Sequence, residues 1–232
     1  RLISSAASDV YKRQNIYSRL GNPTVGALEA RLTALEEGAM CVALSSGTSA
    51  VMYSLINIMS QGDNFVTANQ LYGGTYTMFD NILPEYGIDS KKVDITDLAA
   101  VENAIDDKTR AIYCETITNP GLVVADISAL SEIAHSKGIP LIVDATFTTS
   151  AILKPFEYGA DIVVYSLTKW MSGHGRVIAG AVIEKGGFDW GNGNFPLYDK
   201  PDTSYGGMRW GHDLGDLGLS LIHISEPTRQ PI

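Results

Sequence analysis

Short apolar runs alternate along this chain with longer segments in which apolar residues recur every three or four positions. The runs at 41–44, 63–68, 109–115, 139–143, 160–165 and 177–184 predict strands, and a further short strand ends near Asp94. Between them, Leu28, Leu32 and Leu35 repeat at helical spacing with Glu29, Arg31 and Glu36 on the polar side. Thr24 is placed to cap that helix and Gly38 to end it. A second helix carries Val51, Met52, Leu55, Ile56 and Met59, and a third runs through Met78, Phe79 and Leu83. A fourth spans 95–105 with Leu98, Val101 and Ile105 on one face. A fifth opens at Asp126, turns Leu130, Ile133 and Ala134 inward and closes at Gly138. A shorter helix-like passage leads to Gly159, and 186–218, rich in Gly, Pro, Asp and aromatics, reads as loop. No internal repeat is present. Strands alternating with helices predict an α/β fold, a mostly parallel sheet with helices on both faces.

In such sheets ligands collect beyond the carboxyl ends of the strands. Glu115, Asn119, Asp144, Ser166, Thr168 and Lys169 all fall at or just after strand exits, as does the turn Gly47-Thr48. Lys169 ends an apolar strand and has hydroxyl neighbours, an arrangement suited to an imine-forming amine beside a phosphate. The turn at 45–50 opens a helix, and its free amides and dipole suit an anion, although Ser-Gly also starts many helices for capping alone. Asp144 suits the acid that faces a pyridine nitrogen and equally suits a turn former. Tyr72 can stack on a cofactor ring, but by itself reads as a core aromatic. Together these residues supply what pyridoxal 5'-phosphate requires: a lysine, an acid, phosphate donors and a stacking ring.

Competing chemistries lack their motifs. There is no GxxxxGK[ST] loop, no GxGxxG after the first strand, no HExxH or paired Cys/His spacing, and no GxSxG elbow. No metal site is expected. Of the 232 residues, 45% are hydrophobic and 19% charged, which is a globular composition. The net charge of −9, with no basic cluster, argues against nucleic acid or an anionic membrane surface as a main partner. Cys41 and Cys114 sit in apolar runs and read as reduced core residues. No apolar run reaches membrane-spanning length, so a cytoplasmic protein is expected. Residues 1–14 and 219–232 lack period or continuity with the rest and resemble translated adaptor sequence, so both are expected to be non-native ends.

Several ordered motifs together resemble the Cys/Met-metabolism family of pyridoxal-phosphate enzymes. They are the segment 17–24 (YSRLGNPT), 71–75 (LYGGT), Glu115 with Asn119-Pro120, Val143-Asp144, and 166–169 (SLTK) running on to Gly173-His174-Gly175. The resemblance covers about residues 15–218. It implies the large cofactor domain of the fold type I transferases, without the smaller C-terminal domain that carries the substrate-carboxylate arginine. It also implies that Lys169 is the imine lysine, Asp144 the pyridine-nitrogen partner and Tyr72 the stacking and catalytic tyrosine. Gly47, Thr48, Ser166 and Thr168 become the phosphate donors of the same subunit. Tyr17 and Arg19 would reach the neighbouring subunit's phosphate, which makes a homo-oligomer, a dimer of dimers in the intact protein, the expected state. Asn119 would lie near the cofactor hydroxyl and substrate carboxylate, with Glu115 in support.

The loop sequences 187–190, 195–196 and 201–205 resemble family members that exchange the acetate of O-acetyl-L-homoserine for sulfide or a thiol. Cystathionine γ-synthase, cystathionine γ-lyase and methionine γ-lyase activities are the near alternatives, and a non-catalytic cofactor-domain fragment is the alternative of another class. A dinucleotide-binding protein stands further off, without its glycine fingerprint. The chain departs from the family pattern at Ala145, where an asparagine is usual, and near Ser150, where a proline is usual.

Overall fold

The computed structural model describes Ser18 and residues 21–213. In chain order these form α1 (Pro23–Glu36), β1 (Met40–Leu44), α2 (Gly47–Ile56), β2 (Asn64–Ala68), α3 (Gly73–Thr77), β3 (Asp89–Val93) and α4 (Leu98–Ala104). Then come β4 (Thr109–Glu115), α5 (Ile127–Ser136), β5 (Leu141–Asp144), α6 (Thr149–Ile152), β6 (Ile162–Ser166), β7 (Gly180–Glu184) and α7 (Pro196–Asp199). The strands make one sheet in the order β1-β7-β6-β5-β4-β2-β3. Neighbours from β6 across to β3 are parallel, whereas β7 runs antiparallel to both β6 and β1. β7 therefore runs alone against the other six strands. Their carboxyl ends share one edge, and β7 brings its first residue, Gly180, to that same edge.

Side chains alternate across a strand, so a strand buried at every position is covered on both faces. β4 is buried at all seven positions, and Phe65, Phe79, Ile112, Tyr113, Leu141, Ile162 and Val163 show almost no exposed surface. The mostly parallel, doubly covered sheet expected from the alternation is the one observed.

Local details differ from the sequence reading. Asn22, not Thr24, caps α1: its side chain accepts from the amides of Thr24 (3.0 Å) and Val25 (3.3 Å), with Pro23 in the first turn. The helix ends at Glu37 in the left-handed region (φ 58°), one residue before Gly38. Glu29 and Glu36 are buried rather than solvated, while Leu28 is exposed. Glu29 accepts the Ala43 amide at 2.9 Å, and Glu36 accepts the hydroxyl of Tyr165, so each buried carboxylate has a tertiary partner. The helix expected through Leu83 changes pitch after Thr77, becoming a π turn (Met78–Ile82) and then a 3-10 turn (Leu83–Tyr86). Pro84 has no amide to continue the α ladder. The last strand begins at Gly180, not Val177, and Val177 and Ile178 are exposed.

The largest correction concerns 186–213. This stretch is not simple loop. It carries α7 and a packed aromatic group in which Trp190 lies 4.5 Å from Phe188, 5.0 Å from Phe195 and 5.5 Å from Tyr198, centroid to centroid. Trp190 Nε1 donates to Glu184 at 3.3 Å, and the Tyr198 hydroxyl donates to the Asn57 carbonyl at 2.9 Å. The side-chain amides of Asn192 and Asn194 donate to the Gly138 carbonyl, and that of Asn194 also to the Lys137 carbonyl. Those carbonyls follow α5 and would otherwise lack partners. Trp190→Ala is expected to cost about 3–5 kcal/mol, the usual loss for a buried Trp. Urea unfolding measures it, and a loss below about 1 kcal/mol would mean that the segment only drapes over the sheet.

Candidate active site

The site is built where α2 begins. Leu44 pairs with Gly180 on one side of β7 and Ser166 pairs with Gly180 on the other, so the exits of β1 and β6 flank the first residue of β7. The backbone comes unusually close here. A Cβ on Gly180 would stand 2.0 Å from the Ser46 carbonyl oxygen, and a Cβ on Gly47 would stand 2.5 Å from Ser166 Cβ. Only glycine allows that approach. Ser46 caps α2 by accepting the Ser49 amide at 3.0 Å. The amides of Gly47 and Thr48 have no acceptor among the described residues, and as first-turn donors they carry the positive end of the helix dipole. The Ser166 hydroxyl likewise has no partner among the described residues. Thr168 differs: its hydroxyl donates to the Ala179 carbonyl (3.3 Å) and accepts the Ala179 amide (3.1 Å). Thr168 can donate to an anion only by releasing the Ala179 carbonyl.

Two carboxylates stand side by side on the neighbouring strands, because Glu115 on β4 is in register with Asp144 on β5. Asp144 accepts the Thr146 amide at 2.9 Å and the Tyr113 hydroxyl at 3.3 Å. It thus forms the turn that the sequence allowed while still facing the cleft. Burial pushes its pKa up, and hydrogen bonds from Thr146 and Tyr113 pull it partly back. Glu115 accepts the Tyr72 amide on one oxygen (2.7 Å) and the Asn119 amide on the other (3.0 Å). Its pKa is pushed up to about 7, chiefly by burial and further by Asp144.

Lys169 follows β6 and is exposed, its amide donating to the Ser166 carbonyl at 3.1 Å. Among the described residues its ammonium has no carboxylate partner. Tyr72, 48% exposed, precedes α3. Gly47, Thr48, Tyr72, Glu115, Asn119, Asp144, Ser166, Thr168 and Lys169 all line one cleft of about 670 Å³, a normal size for a small-molecule site. Tyr17 and Arg19 lie outside the described residues.

Sequence reading gave no role to Thr146. Its hydroxyl accepts the Ser166 amide at 2.8 Å while its amide donates to Asp144 at 2.9 Å, linking the acid to the strand that delivers Lys169. Gly180 was missed as well; a glycine opening an antiparallel strand shows its purpose only when the sheet order is known. Ser131, His135 and Asp161 form a hydrogen-bonded row at the opposite edge of the sheet. There the Ser131 hydroxyl donates to the Gly159 carbonyl and Asp161 also takes the Leu141 amide, so the row ties elements together. No group of three or more metal-ligating side chains occurs among the described residues.

The family model for Cys/Met metabolism PLP-dependent enzymes matches residues 4–205. The chain belongs to this family. Among the curated relatives of this Cys/Met-metabolism chain, an O-acetyl-L-homoserine sulfhydrylase of Leptospira meyeri is 45% identical over 201 residues, 87% of this chain and 46% of the relative. A homocysteine synthase of Schizosaccharomyces pombe is 45% identical over 220 residues, 92% of this chain and 51% of the relative. The chain thus spans about half the length of these relatives. A solved structure from Campylobacter jejuni, assigned as an O-acetylhomoserine (thiol)-lyase and carrying N'-pyridoxyl-lysine-5'-monophosphate, matches 99% of this chain and 61% of its own. The TM-score there is 0.82 at 35% identity. A cystathionine γ-lyase from Lactobacillus plantarum, solved with L-serine, matches 75% of this chain and 46% of its own at TM-score 0.72 and 41% identity.

Gly47→Ala is expected to weaken pyridoxal phosphate binding at least about tenfold, because the new methyl must displace Ser166. Gly26→Ala, on α1 with nothing within 4 Å of the added methyl, is the control and should leave affinity unchanged. Fluorescence titration of both variants decides it, and equal affinities would remove the close approach as a requirement.

Proposed function

We propose that this chain is the cofactor-binding part of an enzyme that replaces the acetate of O-acetyl-L-homoserine with sulfide or a thiol, giving homocysteine or methionine. The observation that carries the reading is the single cleft in which Lys169, Asp144, Tyr72 and the start of α2 converge, in a chain about 45% identical to sulfhydrylases. The large domain in this reading spans 15–218. The donor set fits pyridoxal phosphate. Gly47, Thr48 and Ser166 offer unpartnered donors to a dianion, Tyr72 offers a ring face, and Asp144 is a partly buried carboxyl whose ionised form a cationic ring nitrogen would favour.

When bound, the cofactor supplies an electron sink for the pair left as a proton leaves the carbon beside the amine. The chain's own residues do the rest. Lys169 would hold the cofactor covalently through its amine, and it is placed in the cleft to take and return protons at the substrate's α and β carbons. Asn119 orients the substrate carboxylate, and Thr146 fixes Asp144 relative to the strand bearing Lys169. Tyr72, Trp170 and Ile178 line the cleft mouth.

Phe147, Trp170 and Ile178 line this cleft and are yet 42%, 69% and 75% exposed, which supports a second body over its mouth. We take that body to be a second copy, with Tyr17 and Arg19 reaching the partner's phosphate site. No helix among the described residues is long and apolar enough to cross a membrane, and we propose a cytoplasmic location.

The 41% identical cystathionine γ-lyase supports a second reading, γ-elimination, on the same cofactor residues. Product analysis separates the two: sulfide with O-acetyl-L-homoserine should yield homocysteine, whereas release of an oxoacid and ammonia from cystathionine or methionine alone would favour elimination. The full-length parent and the 232-residue chain should be assayed together, since a chain that binds cofactor without turnover is the non-catalytic fragment. Lys169→Ala is expected to abolish the absorbance of the lysine-bound cofactor and to lower turnover at least about a thousandfold, as loss of both covalent anchor and proton carrier implies. An unchanged spectrum would sink the lysine assignment.

A further inference from the structure

We propose that Glu115 is a positioning residue that fixes Tyr72 and Asn119 together, so that its charge state sets how the ring-stacking tyrosine and Asn119 are presented to the cleft. The inference rests on the cleft being a pyridoxal phosphate site. Tyr72 and Asn119 belong to different connections, one after β2 and one after β4, and neither connection is held at the cleft by strand pairing of the residue itself. One carboxylate joins them, with one oxygen on each backbone amide, at 2.7 Å and 3.0 Å. Both amides point inward at a side chain that is only 6% exposed, so no water can readily take its place. The arrangement needs two acceptors. The carboxylate accepts strongly on both oxygens; in the protonated acid the hydroxyl oxygen is the poorer acceptor, so one of the two N–H bonds weakens.

The surroundings make that change of charge accessible. Asp144 stands one strand away on β5, Tyr113 and Cys114 precede Glu115 on β4, the phenol of Tyr72 lies at the start of α3, and Lys169 lines the same cleft from beyond β6. Burial and Asp144 bring the Glu115 titration up to about 7. The clip therefore tightens as pH rises through about 7 and loosens below it. The contribution to folding runs the other way. The folded chain holds this proton more tightly than the unfolded chain, so the stability set by Glu115 falls as pH rises from the ordinary carboxylate range to about 7. Local ordering at the two amides and the Glu115 contribution to global stability thus move in opposite directions as pH rises toward about 7.

Amide hydrogen exchange on the cofactor-free chain tests this without turnover. After correction for intrinsic pH dependence, the segments holding the Tyr72 and Asn119 amides should exchange about tenfold more slowly at about pH 8 than at about pH 6. Glu115→Gln keeps the size but puts an NH2 where the second acceptor was. It should abolish that pH dependence and speed exchange of one segment about tenfold, with the Trp190 region still protected. Glu115→Asp, too short to span both amides, should behave as Gln does. Pyridoxal phosphate titration over the same pH range should show affinity rising more steeply with pH in the parent chain than in Glu115→Gln, the shared slope coming from Lys169, Asp144 and the phosphate itself. Unchanged exchange in the Gln variant would overturn the clip, as would exchange that changes while the pH slope of cofactor affinity is the same in both chains. A parent chain that shows the exchange pattern but binds no cofactor at any pH would instead overturn the pyridoxal phosphate reading.

Discussion

The cleft depends on how near the start of α2 lies to the end of β6 and the start of β7. Ser46 and Gly47 pass so close to Gly180 and Ser166 that any side chain at either glycine would collide with backbone or Cβ atoms. That contact gives the N-terminus of α2 a floor, which suits it to the phosphate we propose there. The amides of Gly47 and Thr48 arrive from β1, while the Ser166 hydroxyl and Lys169 arrive from β6. Because β7 runs antiparallel between those strands, both arrivals occur at one level of the sheet edge. A parallel strand in the place of β7 would present its own carboxyl end and exit loop there, and the two half-sites would be kept apart. The single reversed strand is therefore part of the site, although it contributes no chemistry.

The fold class and much of the site were legible because parallel sheets write their chemistry at strand exits. Asp144, Glu115 and Lys169 each end or follow an apolar run, so the pattern that located the strands also located the residues. What stayed hidden has physical causes. Glu29 and Glu36 sit on the expected polar side of α1, and only the tertiary partners Ala43 and Tyr165 explain their burial. The aromatic group around Trp190 follows neither a two-residue nor a 3.6-residue period, so no pattern search sees it. Thr146 looked like turn sequence. Its role arises from a bond to Ser166, twenty positions on in the chain, which only the pairing of β5 with β6 brings within reach. The departure at Ala145 fits the same account: that side chain is fully buried, and the polar contacts of the turn run through Asp144 and Thr146 on either side of it.

Two adjacent carboxylates explain what the cleft is built to hold. Glu115 and Asp144 lie in register on neighbouring strands, both largely removed from water, and burial raises the pKa of each. Nothing cationic among their hydrogen-bond partners offsets this: Glu115 has two neutral amides, and Asp144 has an amide and a hydroxyl. A structural ion pair would have placed an arginine or lysine there. The pair instead leaves one unmet demand, a positive charge at Asp144, and the opposite end of the cleft leaves another, a negative charge at the start of α2. A ligand cationic at one end and anionic at the other would meet both, and Tyr72 and Lys169 line the same cleft. A protonated pyridine bearing a phosphate and an aldehyde has that distribution. The charge distribution of the cleft thus agrees with the cofactor that the family requires.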